Sequence, residues 1–108
     1  MKKWDNKKTD DLIKAVLALK NAKEAKRFLR DLLTEEEIIE FGKRWQTAKM
    51  LNSNISYTTI SGKTGLSSRT IARISGWLSN GMGGYKLVLN RLNKHHHNSL
   101  SAGKGLHL

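Results

Sequence analysis

The sequence predicts an all-α protein. No proline occurs in the 108 residues, and apolar residues recur at spacings of three and four, the period of an amphipathic helix. No segment shows the strict apolar and polar alternation typical of half-buried strands. A chain of this length is expected to form one domain, which we assign to residues 1–94, with residues 95–108 as a disordered tail.

Two amphipathic helices are predicted near the N-terminus. The first spans about 9–19, with Thr9 and Asp10 as candidate caps. The second begins after Asn21, because Asn21 followed three residues later by Glu24 is similar to a capping box. Their inner faces are expected to consist of Leu12, Val16 and Leu19 in the first helix and Ala25, Phe28, Leu29 and Leu32 in the second.

A long third helix is predicted from Thr34 to about Asn52. Thr34 and Glu37 have the spacing of a capping box, and three consecutive glutamates favour the positive end of a helix. The polar cluster 52–54 is expected to end it. One continuous buried stripe is predicted on this helix, made of Ile38, Phe41, Trp45, Ala48 and the turn at Leu51.

Three shorter helices are predicted in the rest of the chain. They cover roughly 57–63, 68–78 and 85–94, and three glycines make the segment 79–84 between the last two flexible.

Residues 56–76 have the pattern of a helix-turn-helix. Gly65 is the expected pivot, because a tight turn between two crossing helices often needs a positive φ angle. Ser61 is small enough to let the two helix backbones approach, and Ser67 and Ser68 can cap the second helix. The buried positions are expected to be Ile60, Leu66, Ile71 and Ile74.

The charge distribution indicates a polyanionic partner. Twenty Lys and Arg against nine Asp and Glu give a formal charge of +11 and a pI near 10.2. Every acidic residue lies at or before Glu40, so residues 41–108 carry ten Lys and Arg and no carboxylate. A surface that is basic only for solubility normally mixes positive and negative charges. An anionic membrane is a weaker alternative, so nucleic acid is the favoured partner.

Together the motif and the charge predict a regulator of transcription that binds double-stranded DNA in a sequence-specific way. Arg69 and Arg73 lie four residues apart on the same outer face of the second helix, as a groove-reading helix requires. The predicted DNA-binding residues are Ser56, Tyr57, Lys63, Ser67, Ser68, Arg69, Ala72 and Arg73.

The chain resembles the Trp repressor superfamily, and within it the shorter TrpR-like YerC/YecD branch. The resemblance covers roughly residues 28–94. It implies about six helices and an intertwined homodimer that presents two helix-turn-helix units to successive major grooves. The segments that carry it are 32–34, 41–44, 55–56, 65–73 (above all Ser68-Arg69-Thr70-Ile71-Ala72-Arg73) and Gly83-Gly84-Tyr85-Lys86.

The resemblance also implies a possible effector pocket, formed by Thr34, Arg44, Arg73 and Trp77. Thr34 and the two arginines match positions that hold the carboxylate and the indole ring of tryptophan in the family. Ile74 and Trp77 stand where the repressor has a glycine and a serine, and they would fill the space of the ligand's ring. The effector is therefore unknown, and tryptophan is not expected to bind.

Other chemistry has little support in the sequence. Three adjacent histidines, His95-His96-His97, do not converge on one metal ion, so neither a metal nor another cofactor is predicted. The absence of cysteine and of paired carboxylates outside 35–40 argues against an enzyme. No apolar run is long enough for a membrane span. No apolar stretch follows the basic N-terminus as it would in a signal peptide, so a cytoplasmic location is expected.

Two alternative functions remain open at the level of sequence. A DNA-recognition subunit of a mobile-element transposase would use a similar motif, although the leucines Leu87, Leu89 and Leu92 are too few for an assembly coiled coil. An RNA-binding or structural interaction protein is the second alternative.

Overall fold

A computed structural model describes residues 2–94, which form six helices and contain no strand. The all-α prediction is confirmed. Five helices are α1 (Lys7–Leu17), α2 (Ala22–Leu32), α3 (Glu35–Asn52), α4 (Tyr57–Thr64) and α5 (Ser68–Asn80). The sixth, α6, covers 84–94. The predicted tail, residues 95–108, lies outside the described residues.

The chain divides after Glu40, within α3, into two compact units. The N-terminal unit contains α1, α2 and the first turns of α3, and the C-terminal unit contains the rest of α3 and the last three helices. Our assignment of 1–94 to one domain remains a prediction. Within the described part of the chain, no helix is both long enough and apolar enough to cross a membrane.

Helix α1 begins two residues earlier than predicted. Asn6, not Thr9 or Asp10, is the N-cap, and its side-chain oxygen accepts a hydrogen bond from the Thr9 backbone N–H at 3.1 Å. Thr9 is therefore the third residue of the helix. The prediction missed this cap because Asn6 lies among lysines rather than directly before an apolar residue.

The caps of α2 and α3 were predicted correctly. The Asn21 side chain accepts from the Glu24 N–H at 2.9 Å, and the Glu24 carboxylate accepts from the Lys20 N–H. At α3 the capping box is reciprocal. The Glu37 N–H donates to the Thr34 hydroxyl at 3.1 Å, and the Thr34 N–H donates to the Glu37 carboxylate at 2.9 Å.

A Schellman motif ends α3 at the predicted cluster. Asn54 has a φ of 60°, in the left-handed region that asparagine tolerates. The Ile55 N–H donates to the Met50 carbonyl, and the Asn54 N–H donates to the Leu51 carbonyl, both at 3.0 Å. These bonds reverse the chain and set the start of α4.

The core lies in the C-terminal unit, where α3, α4 and α5 pack together. The four apolar residues predicted to be buried in the helix-turn-helix are buried, and Ala48 of α3 joins them. This cluster consists of Ala48, Ile60, Leu66, Ile71 and Ile74, with Trp45, Met50, Leu51 and Tyr85 packed against it.

The predicted inner faces of the first helices are not buried by the chain itself. No residue of α1 or α2 is buried, and Leu12, Val16, Leu29 and Leu32 are exposed. The stripe predicted on α3 is also discontinuous, because Phe41 is 49% exposed whereas Ala48 is fully buried. The prediction that these faces are buried is therefore wrong for the described chain, in which no other segment covers them.

Helix α5 runs two residues further than predicted, to Asn80, and so shortens the glycine segment. Gly81 then leaves no room for a side chain, because a Cβ atom there would lie 2.4 Å from the Trp77 carbonyl oxygen. The Gly81 N–H donates to that same oxygen at 2.8 Å, so the chain turns tightly into α6.

Candidate nucleic-acid interface

Helices α4 and α5 form a helix-turn-helix, joined by residues 65–67. Gly65 has a φ of 76°, as predicted for the pivot, and its N–H donates to the Ser61 carbonyl at 2.8 Å. The Ser61 hydroxyl donates across the turn to the Leu66 carbonyl at 2.8 Å. The serine therefore ties the end of one helix to the start of the next, in addition to allowing their close approach.

Thr64 makes a second tie, between the end of α4 and the turn. Its buried hydroxyl donates to the Ile60 carbonyl at 2.8 Å and accepts from the Leu66 N–H at 3.1 Å. Because Leu66 is itself a core residue, this bond satisfies a backbone donor that water reaches poorly. The turn between α4 and α5 is thus held by hydrogen bonds as well as by packing.

The two helices begin with the same local arrangement. Ser56 accepts from the Thr59 N–H and donates to the Thr59 hydroxyl, at 3.2 and 3.0 Å. Ser67 and Thr70 repeat both bonds at 3.2 and 3.1 Å. Neither first turn contains an acidic residue, whereas α1, α2 and α3 each have at least one there. The positive ends of the α4 and α5 dipoles are therefore not compensated locally.

The outer face of α5 is polar and basic. Ser68, Arg69, Ala72 and Arg73 are exposed, while Ile71 and Ile74 on the opposite face are fully buried. This division follows the helical period and was predicted. The other predicted DNA-binding residues are exposed too, namely Ser56, Tyr57, Lys63 and Ser67. Their contact with DNA remains a prediction.

The surface around the motif carries one sign of charge. From Phe41 to Lys94 the chain has nine Lys and Arg and no Asp or Glu. No carboxylate within this unit can neutralise Lys63, Arg69 or Arg73, so the unit as a whole presents a positive potential to solvent.

The four residues predicted to form an effector pocket differ in the helix that carries them and in their exposure to solvent. Thr34 caps α3 in the N-terminal unit. In the C-terminal unit, the Arg44 guanidinium lies 5.9 Å from the centre of the Phe41 ring, and Arg73 is on the exposed face of α5. Ile74 is fully buried in the core, but Trp77 is 44% exposed. The effector pocket itself remains a prediction.

An aromatic cavity of about 620 Å³ lies beside Trp77 and was not predicted. Trp45 and Tyr85 stack along it, with ring centres 6.3 Å apart and planes 23° apart. Forty residues separate these two rings in the chain, so no local pattern could indicate their contact. The lining residues are Trp45, Trp77, Gly81, Met82, Gly84, Tyr85 and Val88.

No cluster of potential metal ligands occurs among residues 2–94. The histidines His95-His96-His97 lie outside the described residues.

Comparisons with known proteins agree with this geometry. The family model described as Trp repressor protein matches residues 7–93. The uncharacterized protein YerC of Bacillus subtilis (strain 168) is 36% identical over 90 residues, which cover 83% of this chain and 86% of the relative.

Two crystal structures have a similar fold. A TrpR-like protein from Eubacterium eligens aligns with a TM-score of 0.80 and 37% identity, covering 84% of this chain and 94% of that one. A candidate Trp repressor from Staphylococcus aureus aligns with a TM-score of 0.79 and 36% identity, covering 84% of this chain and 91% of that one.

Proposed function

The chain belongs to the Trp repressor family, and from this premise we propose that it is a transcriptional regulator, most simply a repressor, that binds specific sequences of double-stranded DNA as a homodimer. One observation carries the proposal: a helix-turn-helix lies within a unit that has nine cationic side chains and no carboxylate between Phe41 and Lys94. No catalytic step enters this function, and we place the protein with its DNA in the cytoplasm.

In this proposal α5 enters the major groove. Arg69 lies in its first turn, where side chains reach base edges, and an arginine there can bind guanine through O6 and N7. Ser68, Ala72 and Arg73 share its exposed face. The phosphates are held by the uncompensated helix ends at Ser56 and Ser67, together with the side chains of Tyr57 and Lys63.

Salt titration of DNA binding tests the proposal. A random-sequence duplex measures non-specific binding, and a duplex selected from a randomised library measures specific binding. If about six phosphates are neutralised, log affinity falls with log salt with a slope of about −5. A slope near zero contradicts the proposal, and tighter binding to single strands than to any duplex favours an RNA-binding protein instead.

The exposed apolar side chains support the homodimer. Leu12, Ile13, Val16 and Leu17 of α1 are between 38% and 78% exposed, and Leu87, Val88 and Leu92 of α6 between 43% and 50%. Apolar surface of this extent on two helices is typical of a protein interface. Light scattering at micromolar concentration is expected to give twice the chain mass. The two recognition helices would then lie about 34 Å apart, on a near-palindromic site. A monomer mass contradicts the dimer.

We also propose that tryptophan is not the effector. Ile74 is a fully buried core residue, and a glycine at this position would leave its space open. Trp77 adds an indole ring three residues further along α5, and its exposed surface is available for burial by a partner chain. Calorimetry with millimolar tryptophan, with and without a selected duplex, is expected to show no binding. Binding that also tightens DNA association contradicts the proposal.

A further inference from the structure

A second cleft lies where the end of α3 meets α4. Its volume is about 370 Å³, and all of its lining residues belong to the C-terminal unit. The lining comprises Gln46, Lys49, Met50, Ser53, Ile55 and Lys63. Only Lys63 was among the predicted DNA-binding residues, so the cleft extends the candidate interface from α4 onto α3.

The floor of the cleft is packed and hydrogen-bonded. Met50 packs against the core, and the Ile55 N–H donates to the Met50 carbonyl as part of the Schellman motif. The Ser53 N–H donates to the Lys49 carbonyl at 3.2 Å in the same turn. The backbone that carries Lys49 and Ser53 is therefore hydrogen-bonded within the chain without a ligand.

The rim of the cleft is suited to an anion. Lys49 and Lys63 both line the cleft, and so do Gln46 and Ser53, whose side chains can donate neutral hydrogen bonds. No Asp or Glu occurs from Phe41 to Lys94, so the charges of Lys49 and Lys63 are not neutralised by their own unit. A phosphate that enters the cleft would be attracted by both lysine charges.

We propose that Lys49 and Lys63 together hold one phosphate of the DNA backbone, with Gln46 and Ser53 as additional donors. The inference rests on the proposed function and adds α3 to the DNA-contacting elements. A duplex is favoured over a free anion because Lys63 is carried by α4, the first helix of the helix-turn-helix. Lys49 is then a positioning residue that fixes the register of the protein on DNA without reading bases.

Three variants test the inference: Lys49→Gln, Lys63→Gln and the double variant. Lys86→Gln is the matched control, because Lys86 is an exposed lysine of the same unit that does not line the cleft. The double variant is expected to lose about five- to tenfold in affinity at 0.1 M salt, equally for selected and random duplexes, and its salt slope should become shallower by about 0.9. Each single variant should show part of this loss.

Phosphate ethylation interference locates the contact. One phosphate of the selected duplex should weaken wild-type binding when ethylated but have no effect on the double variant, whereas Lys86→Gln should keep the wild-type pattern. Thermal unfolding of every variant checks that the fold is retained.

Failures of the inference and of the proposed function are distinguishable. If the wild-type protein binds no duplex, the proposed function itself is wrong. If it binds and the double variant keeps the wild-type slope and interference pattern, only the inference is overturned. Calorimetric binding of inorganic phosphate that depends on both lysines, with duplex binding unaffected by their loss, would also overturn it, because the cleft would then be a free-anion site.

Discussion

Two buried threonines of the C-terminal unit are expected to respond in opposite directions to the same substitution. Thr47 of α3 is fully buried, and among residues 2–94 its hydroxyl is a buried side-chain group without a hydrogen-bond partner. Thr64 of α4 is 4% exposed, and its hydroxyl donates to the Ile60 carbonyl within α4 and accepts from the Leu66 N–H in the turn. Valine has nearly the shape of threonine, with a methyl group in place of the hydroxyl.

The magnitudes follow from the hydrogen bonds. A buried polar group without a partner costs about 1 to 3 kcal/mol, so Thr47→Val should raise the free energy of unfolding by about 1 kcal/mol. Thr64→Val leaves the Leu66 N–H buried without its acceptor and should lower the free energy of unfolding by about 1 to 3 kcal/mol. Helix propensity contributes little, because threonine and valine rank close together.

Thermal and urea unfolding at one fixed protein concentration measure both effects, since a dimer's stability depends on concentration. Each kcal/mol corresponds to about 4 to 8 °C in Tm for a chain of this size. The reasoning is refuted if Thr47→Val is as destabilising as Thr64→Val, because the Thr47 hydroxyl must then have a partner in solution.

Three further predictions concern the turn, the recognition helix and the aromatic cavity. Gly65→Ala should lower the free energy of unfolding by about 1 to 2 kcal/mol, because a residue with a Cβ atom is strained at the positive φ of this position. A steric clash does not contribute, because a Cβ atom there meets no atom within 4 Å. Gly65→Asn should cost less, and equal losses in urea unfolding would contradict this backbone explanation. Arg69→Ala should reduce discrimination between selected and random duplexes by a factor equivalent to about 1 to 3 kcal/mol. Lys63→Gln should instead weaken the binding of selected and random duplexes by the same factor. If the two variants have equal effects in parallel titrations, Arg69 is only a phosphate contact. Tyr85→Ala should remove the stacking on Trp45 and shift the protein's tryptophan fluorescence, and an unchanged spectrum would argue against the stacked pair.

The local features of this protein were predictable because each depends on residues close together in the chain. The cap at Thr34 needs only Glu37, three residues away, and the pivot at Gly65 needs only the backbone freedom of glycine. The division of α5 into a buried and a basic face follows from its period. The absence of acidic residues after Glu40 can be read directly from the sequence, without any knowledge of the fold. These four features suffice to indicate the helix-turn-helix and its polyanionic partner.

The tertiary structure decided which apolar faces are covered and which distant side chains meet. Leu12 and Ile71 both follow a helical period, yet one is exposed and the other fully buried, because burial depends on what other segments pack there. The stacking of Trp45 on Tyr85 joins residues on α3 and α6. The cleft that Lys49 and Lys63 share exists only because a Schellman motif turns the chain between them. Such contacts depend on long-range packing, for which local sequence carries no signal.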